Sequence, residues 1–190
     1  AELLREIREV GEEHLATAIA LYEALEDEEA KARDRREYAK ALYVLGGYYL
    51  DDAYLPVHEY FLRRIAGRED MPPVALISKL DVESAIELLE KAFRAETDMP
   101  LSQLDTAKLA QLNKQWTRSP VEKLYRLGCA ESAAAFIALT EGDSDTLARH
   151  ARAAVRYLQA AKAVADQSQD RRRNTWHISE KLAWTHIYTG

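Results

Sequence analysis

The chain has 190 residues, 26 of them basic and 32 acidic, for a net charge of −6, and a single cysteine. That length suits one domain, 1–190, with a buried core. The acidic balance gives no general reason to bind nucleic acid, and a lone thiol excludes an internal disulfide framework and fits a reducing cytoplasm.

Abundant Ala and Leu beside 7 Gly and 5 Pro predict an all-α protein. No apolar run approaches the ~20 residues needed to span a bilayer, so no membrane partner is expected. The acidic, amphipathic start from Glu2 onward carries no signal-peptide pattern. Leu3, Ile7, Val10, His14, Ala18, Leu21 and Leu25 recur in steps of three and four, which predicts one long first helix with His14 satisfied within its seam. The acidic run 26–29 opposes the dipole at a helix C-terminus and predicts a break near Asp27. The alternative is a helix continuing through the charged stretch 31–36 as a solvated segment.

In the stretch 41–65, Leu42, Leu45 and Tyr49 share one helical face. Gly46 and Gly47 each cost about 1 kcal/mol relative to Ala in a helix interior, so their presence predicts the close approach of a neighbouring helix. A break is expected at Asp51-Asp52-Ala53, with Pro56 in the first turn of a second helix whose buried stripe is Val57, Tyr60, Phe61 and Ile65. Gly67, Asp70 and Pro72-Pro73 mark a loop over 67–79, with a short turn through Ile77. Asp81 is expected to cap the next helix, which ends at Asp98-Met99-Pro100. Ser102 is expected to cap a helix with Leu104, Leu109 and Leu112, followed by a polar connection over 113–118 apart from Trp116.

Ser119-Pro120 opens a helix over 121–139. Its small residues Gly128, Cys129, Ala130, Ala133, Ala134 and Ala135 permit close packing and place it at the centre of the bundle, with Cys129 a small core residue. Gly142 closes it, and Asp143 or Ser144 caps a helix to about Ala165 with Leu147, Ala151, Ala154, Leu158 and Ala161 inward. A polar break over 166–170 precedes a last helix, 175–188, carrying Trp176, Ile178, Leu182, Trp184 and Ile187.

Leu45-Gly46 and Tyr49, followed by Tyr60-Phe61, resemble the paired helices of a tetratricopeptide (TPR) repeat. The stretch 81–93 looks like the second helix of such a repeat, and 124–135 repeats the Leu-Gly pair at Leu127-Gly128. The loop is one residue short, Val57-His58 stand where a small residue is usual, and no Pro follows Ile65. The resemblance covers about half the chain. It implies antiparallel helical hairpins, as a TPR-like α-solenoid or a compact bundle of about seven helices. The two Leu-Gly helices suggest a three-helix duplication over 37–96 and 119–188. The resemblance also implies that Lys40, Tyr43 and Asp51 lie on the inner, binding face of a groove.

Arg172 and His177 are spaced R-x4-H and resemble the Arg/His motif of HEPN-domain ribonucleases. That resemblance implies an Arg on phosphate and a His as general acid or base, in a homodimer that pairs two motifs. Arg173 stands where a polar residue is usual, with Asn174 one place late. The plainer reading is a basic start to the last helix. Glu12, Glu13 and His14 with Asp51, Asp52, His58 and Glu59 suggest metal ligands, but di-iron bundles need Glu-x-x-His on one helix face, which the chain lacks, so no metal or cofactor is expected. Tyr38, Tyr43, Tyr48, Tyr49, Tyr54 and Tyr60 are either core or the rings of a binding groove. The basic runs 33–36 and 171–173 read as solvated faces, or as a phosphate patch if the fold unites them. No phosphate loop, zinc spacing, nucleophile elbow or dinucleotide fingerprint occurs.

These observations predict a cytoplasmic, non-catalytic scaffold that presents a helical groove to a protein or peptide. The other readings are a homo-oligomeric assembly subunit with Leu/Ala faces and, with a nucleic-acid partner, a metal-independent endoribonuclease using Arg172 and His177.

Overall fold

The computed structural model describes residues 2–65, 67, 78–114, 119–169 and 175–189, with side chains over 6–51, 67, 78–114, 119–169 and 177–187. Among these residues every element is a helix: α1 (Glu2–Glu23), α2 (Glu28–Ile65), α3 (Lys79–Thr97), α4 (Thr106–Asn113), α5 (Pro120–Glu141), α6 (Ser144–Ser168) and α7 (Thr175–Thr189). No described helix is long and apolar enough to cross a membrane.

α5 is the central helix and packs against α2, α3, α4, α6 and α7. Its composition explains this position. At Gly128 an added Cβ would stand 2.5 Å from Leu158 Cγ, so only glycine lets α6 approach this closely. Cys129 is buried beside it. The main core joins Leu50 of α2, Leu89 and Phe93 of α3, Leu109 of α4, Leu124 and Leu127 of α5, Leu158 of α6 and Ile178 of α7. A second close approach lies at Gly46, where a Cβ would meet Leu89 Cγ at 3.1 Å and Leu88 Cβ at 3.2 Å, so α3 packs almost on the backbone of α2. α1 lies chiefly on α2, through a smaller cluster of Ile19, Leu42, Leu45 and Ala92.

The break at Asp51-Asp52-Ala53 is absent, and α2 runs unbroken to Ile65. Two aspartates and an alanine are weak helix formers at worst, and no glycine is there to turn the chain. Pro56 therefore sits inside the helix and not in a first turn; it withholds one N–H from the ladder without ending it. The stretch 37–96 consequently holds parts of two helices, α2 and α3, whereas 119–188 holds α5, α6 and α7.

Two caps differ from expectation. Ser78, not Asp81, caps α3, its Oγ accepting from the Asp81 N–H at 3.2 Å; Asp81 then serves the first-turn dipole. Asp105, not Ser102, caps α4 by accepting from the Lys108 N–H at 3.0 Å. Asp143 caps α6 in the same way, from Thr146 at 3.0 Å. Left-handed residues end three helices: Asp98 (φ 55), Gly142 (φ 75) and Gln169 (φ 53), the last placing the end of α6 at Ser168, beyond Ala165. The Pro72-Pro73 turn and the Trp116 connection lie outside the described residues.

Candidate functional site

α1 carries two rows of side chains, and the row that faces the protein is the less hydrophobic. Ile19 is buried, with Leu15 packed against its cluster. Further toward the N-terminus the inward row is Arg8, Gly11 and Glu12. Arg8 donates to the Tyr48 carbonyl at 2.6 Å, lies 5.4 Å from the centre of the Tyr48 ring, and pairs with Glu12 at 2.8 Å. Tyr22 stacks on Tyr38 of α2 with ring centres 4.0 Å apart, and its hydroxyl donates to the Lys31 carbonyl at 2.9 Å. The Tyr38 hydroxyl donates to Glu23 at 2.8 Å, and burial, then this carboxylate, push its pKa up.

The seam expected from the sequence points the other way. Ile7 is 60% exposed, Val10 54% and Leu21 67%, and His14 is exposed among them, not satisfied within a buried seam. The physical reason is that α1 has α2 as its main neighbour, which covers one side of the helix only. Ile7, Val10, His14, Thr17 and Leu21 follow in alternating steps of three and four, the spacing of a coiled-coil seam.

Toward its C-terminal end this row runs into a groove of about 360 Å³ between α1 and α2. Ala18, Leu21, Tyr22 and Leu25 form one wall, Tyr38 and Ala41 the other, with Asp34 and Glu37 on the α2 lip. Arg33 donates to both Asp34 oxygens, at 2.9 and 3.0 Å, and holds that carboxyl below its usual range. Among the described residues Glu37 is paired with Lys40 on its own helix, at 3.8 Å. At about 100° per residue, Glu6 and Glu13 fall on the opposite side of the seam from α2.

The three binding residues read from the sequence separate into two places. Lys40 is exposed on α2, near Glu37. Tyr43 and Asp51 are gathered by α5. The half-buried Tyr43 ring lies 4.8 Å from Lys123 Nζ and 5.1 Å from Arg126 Cζ. Its hydroxyl accepts from Arg126 Nε at 3.0 Å and donates to Glu122 at 3.3 Å, and Arg126 also lies 3.6 Å from Asp51. Gly47 makes room for that guanidinium: a Cβ there would be 2.6 Å from Arg126 Nη1. Next to it, Lys123 and Glu96 form a buried ion pair at 2.8 Å. The Ser119 N–H donates to the other oxygen of that carboxylate, Glu96 Oε1, at 3.4 Å. Lys123, Arg126 and Glu131 were readable as the charged residues interrupting the apolar α5, a signal the sequence reading passed over.

Glu131 leads to a second polar cluster. It is buried on α5 with its Oε2 2.6 Å from His150 Nδ1 on α6, and Arg149 lies 3.2 Å from His150 Nε2. With Nε2 accepting from Arg149, the proton sits on Nδ1, toward Glu131. Burial first, and Glu131 among its neighbours, hold the Glu90 carboxyl above its usual range. Burial, then Glu90 and Glu131, push the Tyr157 hydroxyl up to about 12. A carboxylate–imidazole pair can move a proton. The pair ties α5 to α6.

His177 is exposed on the first turn of α7, its Nδ1 3.8 Å from Glu180. Arg172 and the run 171–173 lie outside the described residues, as do the side chains of Asp52, His58 and Glu59. Of the other basic run, Arg33 is held by Asp34, and Arg35 by Asp98 and the Arg94 carbonyl. No group of three or more described His, Cys, Asp or Glu residues is placed to hold a metal ion. No family model, no curated protein and no solved structure matches the chain.

Proposed function

We propose that the protein is a cytoplasmic, non-catalytic interaction module that receives a protein or peptide partner on the outer face of α1 and in the α1–α2 groove. The observation that carries this reading is the line Ile7, Val10 and Leu21, all more than half exposed, on a helix whose opposite side is already packed. Single exposed apolar residues are ordinary, and Leu80, Leu139 and Ile187 are such cases. Three in one row, at the spacing that pairs helices and running into an apolar groove, with His14 and Thr17 between Val10 and Leu21, make an exposed apolar stripe of the kind that marks interaction sites. Full burial of each would contribute roughly 1.5–3 kcal/mol.

What supports a non-catalytic role is that the acid–base groups of the helix interfaces, Glu96 with Lys123 and Glu131 with His150, are engaged in pairs that join helices. We assign binding to Ile7, Val10, Ala18 and Leu21, with Tyr38 as the far wall, in place of Lys40, Tyr43 and Asp51. The TPR-like resemblance adds an expectation of grooves between paired helices.

Site-specific photocrosslinking in extract of the source cell tests this. A photoreactive phenylalanine analogue at Val10 or Leu21 should give one discrete protein adduct, which the same analogue at Leu80, exposed on α3, should not give. Identical adducts from all three positions, or none from Val10 and Leu21, would remove the proposal.

A further inference from the structure

We infer that the occupant of this face is an amphipathic helix with apolar residues at three- and four-residue spacing and Lys or Arg along both flanks. This rests on the docking reading above and adds the chemistry of the partner. The spacing argues for a helix. Ile7, Val10, His14, Thr17 and Leu21 alternate as the inner positions of a heptad do, and such a row interleaves with a matching row on a second helix. α1 has 22 residues, a length of about 33 Å, which gives room for three heptads. His14 and Thr17, in the middle of the row, are polar at positions where a polar group fixes register at some cost in affinity.

Charge sets the flanks. Glu6 and Glu13, one heptad apart, border the seam on the side away from α2, and no described cation pairs with either. On the α2 side, Glu37 borders the groove with Lys40 3.8 Å from it, and Asp34 stands beside it with both oxygens already held by Arg33, so Glu37 is the carboxylate that this edge offers. A helix lying in the seam thus has carboxylates along both edges, and basic residues there complement them. A second copy of α1 lacks that complement. Its described cation, Arg8, is turned inward onto Tyr48 and Glu12. Paired in parallel, Glu6 and Glu13 would face Gly11 and Ala18 of the copy; paired antiparallel, they would face each other.

The test uses the full chain and synthetic three-heptad peptides in fluorescence anisotropy. Three peptides share Leu at the inner heptad positions and carry Lys, Gln or Glu at the flanking ones; a fourth has the Lys composition in scrambled order. The Lys-flanked peptide should bind about tenfold more tightly than the Gln-flanked one at low salt. That preference should shrink at ~0.5 M salt and vanish in the variant Glu6→Lys/Glu13→Lys/Glu37→Lys. Leu21→Lys should abolish binding of both, with helicity and Tm preserved because the side chain is exposed.

Equal binding of the Lys- and Gln-flanked peptides, abolished by Leu21→Lys, would overturn the basic partner and leave the docking face standing. Equal binding of the scrambled peptide would overturn it by showing bulk charge attraction alone. Concentration-dependent dimerisation removed by Leu21→Lys, with no peptide bound, would name a second copy as the occupant. If no peptide binds and the chain stays monomeric, both this inference and the docking reading fall.

Discussion

Gly128→Ala should destabilise the protein even though alanine is the better helix former. Replacing glycine by alanine inside a helix gains about 1 kcal/mol of intrinsic propensity. Against this, the new methyl would stand 2.5 Å from Leu158 Cγ and 2.7 Å from its Cδ2, where ordinary contact begins at 3.4 Å, with the Ala154 carbonyl 3.4 Å away. Leu158 is fully buried and its Cγ is a branch point, so no rotation of a free end relieves the overlap. α5 and α6 must separate by close to 1 Å along a well-packed contact, and such overpacking costs 1–3 kcal/mol (about 3 here, from the depth of the overlap). The net is roughly 2 kcal/mol lost, a fall in Tm of about 4–8 °C for a domain of this size. Gly11→Ala is the internal control. There a Cβ meets only the Tyr48 ring at 3.8 Å, so the same substitution should stabilise by about 0.5–1 kcal/mol. Urea unfolding followed by circular dichroism reads both from the midpoint at unchanged slope. In Gly128→Ala/Leu158→Ala the methyl should fill part of the cavity, making the pair less costly than the sum of the singles by about 1–2 kcal/mol. Gly128→Ala as stable as the parent, or additive singles, would refute the close-approach account.

Glu96→Gln should cost about 3–5 kcal/mol by leaving Lys123 buried without its carboxylate, whereas Glu96→Leu/Lys123→Met should recover most of the loss; urea titration of the three chains decides it. Burial lowers the Lys181 ammonium from 10.5 to about 8. The unfolded chain therefore holds more protons between pH 8 and 10.5, stability from this group rises with pH across that window, and the penalty is full below pH 8. Lys181→Met should stabilise at pH 7 by on the order of 1 kcal/mol, allowing for the lysine's partial exposure, and the advantage should disappear above about pH 10.5. The purified protein should leave mixed single-stranded RNA intact; cleavage that His177→Ala removes, at unchanged Tm, would establish the nuclease reading and end the scaffold one.

The bundle was legible because its punctuation is local. Asp98, Gly142 and the acidic run 26–29 mark helix ends through their own backbone and charge preferences, Gly46 announced a close neighbour by its propensity cost, and Gly128 did so by its small size. The break at 51–53 was misread because Asp51 and Asp52 weigh little against a helix held by α3 and α5 on one side. The orientation of α1 was hidden for a different reason. Arg8 and Gly11 count as polar or neutral in any hydropathy scale, yet Arg8 lays its charge on the Tyr48 ring and carbonyl, and Gly11 lies beside that ring. The Tyr43–Arg126 and Glu96–Lys123 contacts join residues 83 and 27 apart in sequence, where no spacing rule reaches.

A helix that turns its richest apolar row to water is a local conflict in a sequence otherwise consistent with its fold, and such conflicts collect at functional sites. It also has a dynamic consequence. α1 is held through Ile19, the Tyr22–Tyr38 stack and the Arg8 contacts on one side only, whereas α5 is enclosed by five helices. Local opening of α1 should therefore need less free energy than opening of α5, and its amides should exchange with solvent faster at equal intrinsic rate. Docking of a helix onto Ile7, Val10 and Leu21 would add a second wall and slow exchange in α1 while leaving α5 unchanged. Hydrogen-exchange mass spectrometry of the free chain and of the chain with the Lys-flanked peptide measures both. Protection in free α1 equal to that of α5 would mean that the inward row alone anchors this helix, and would leave the exposed row without the marginal stability that a docking element is expected to have.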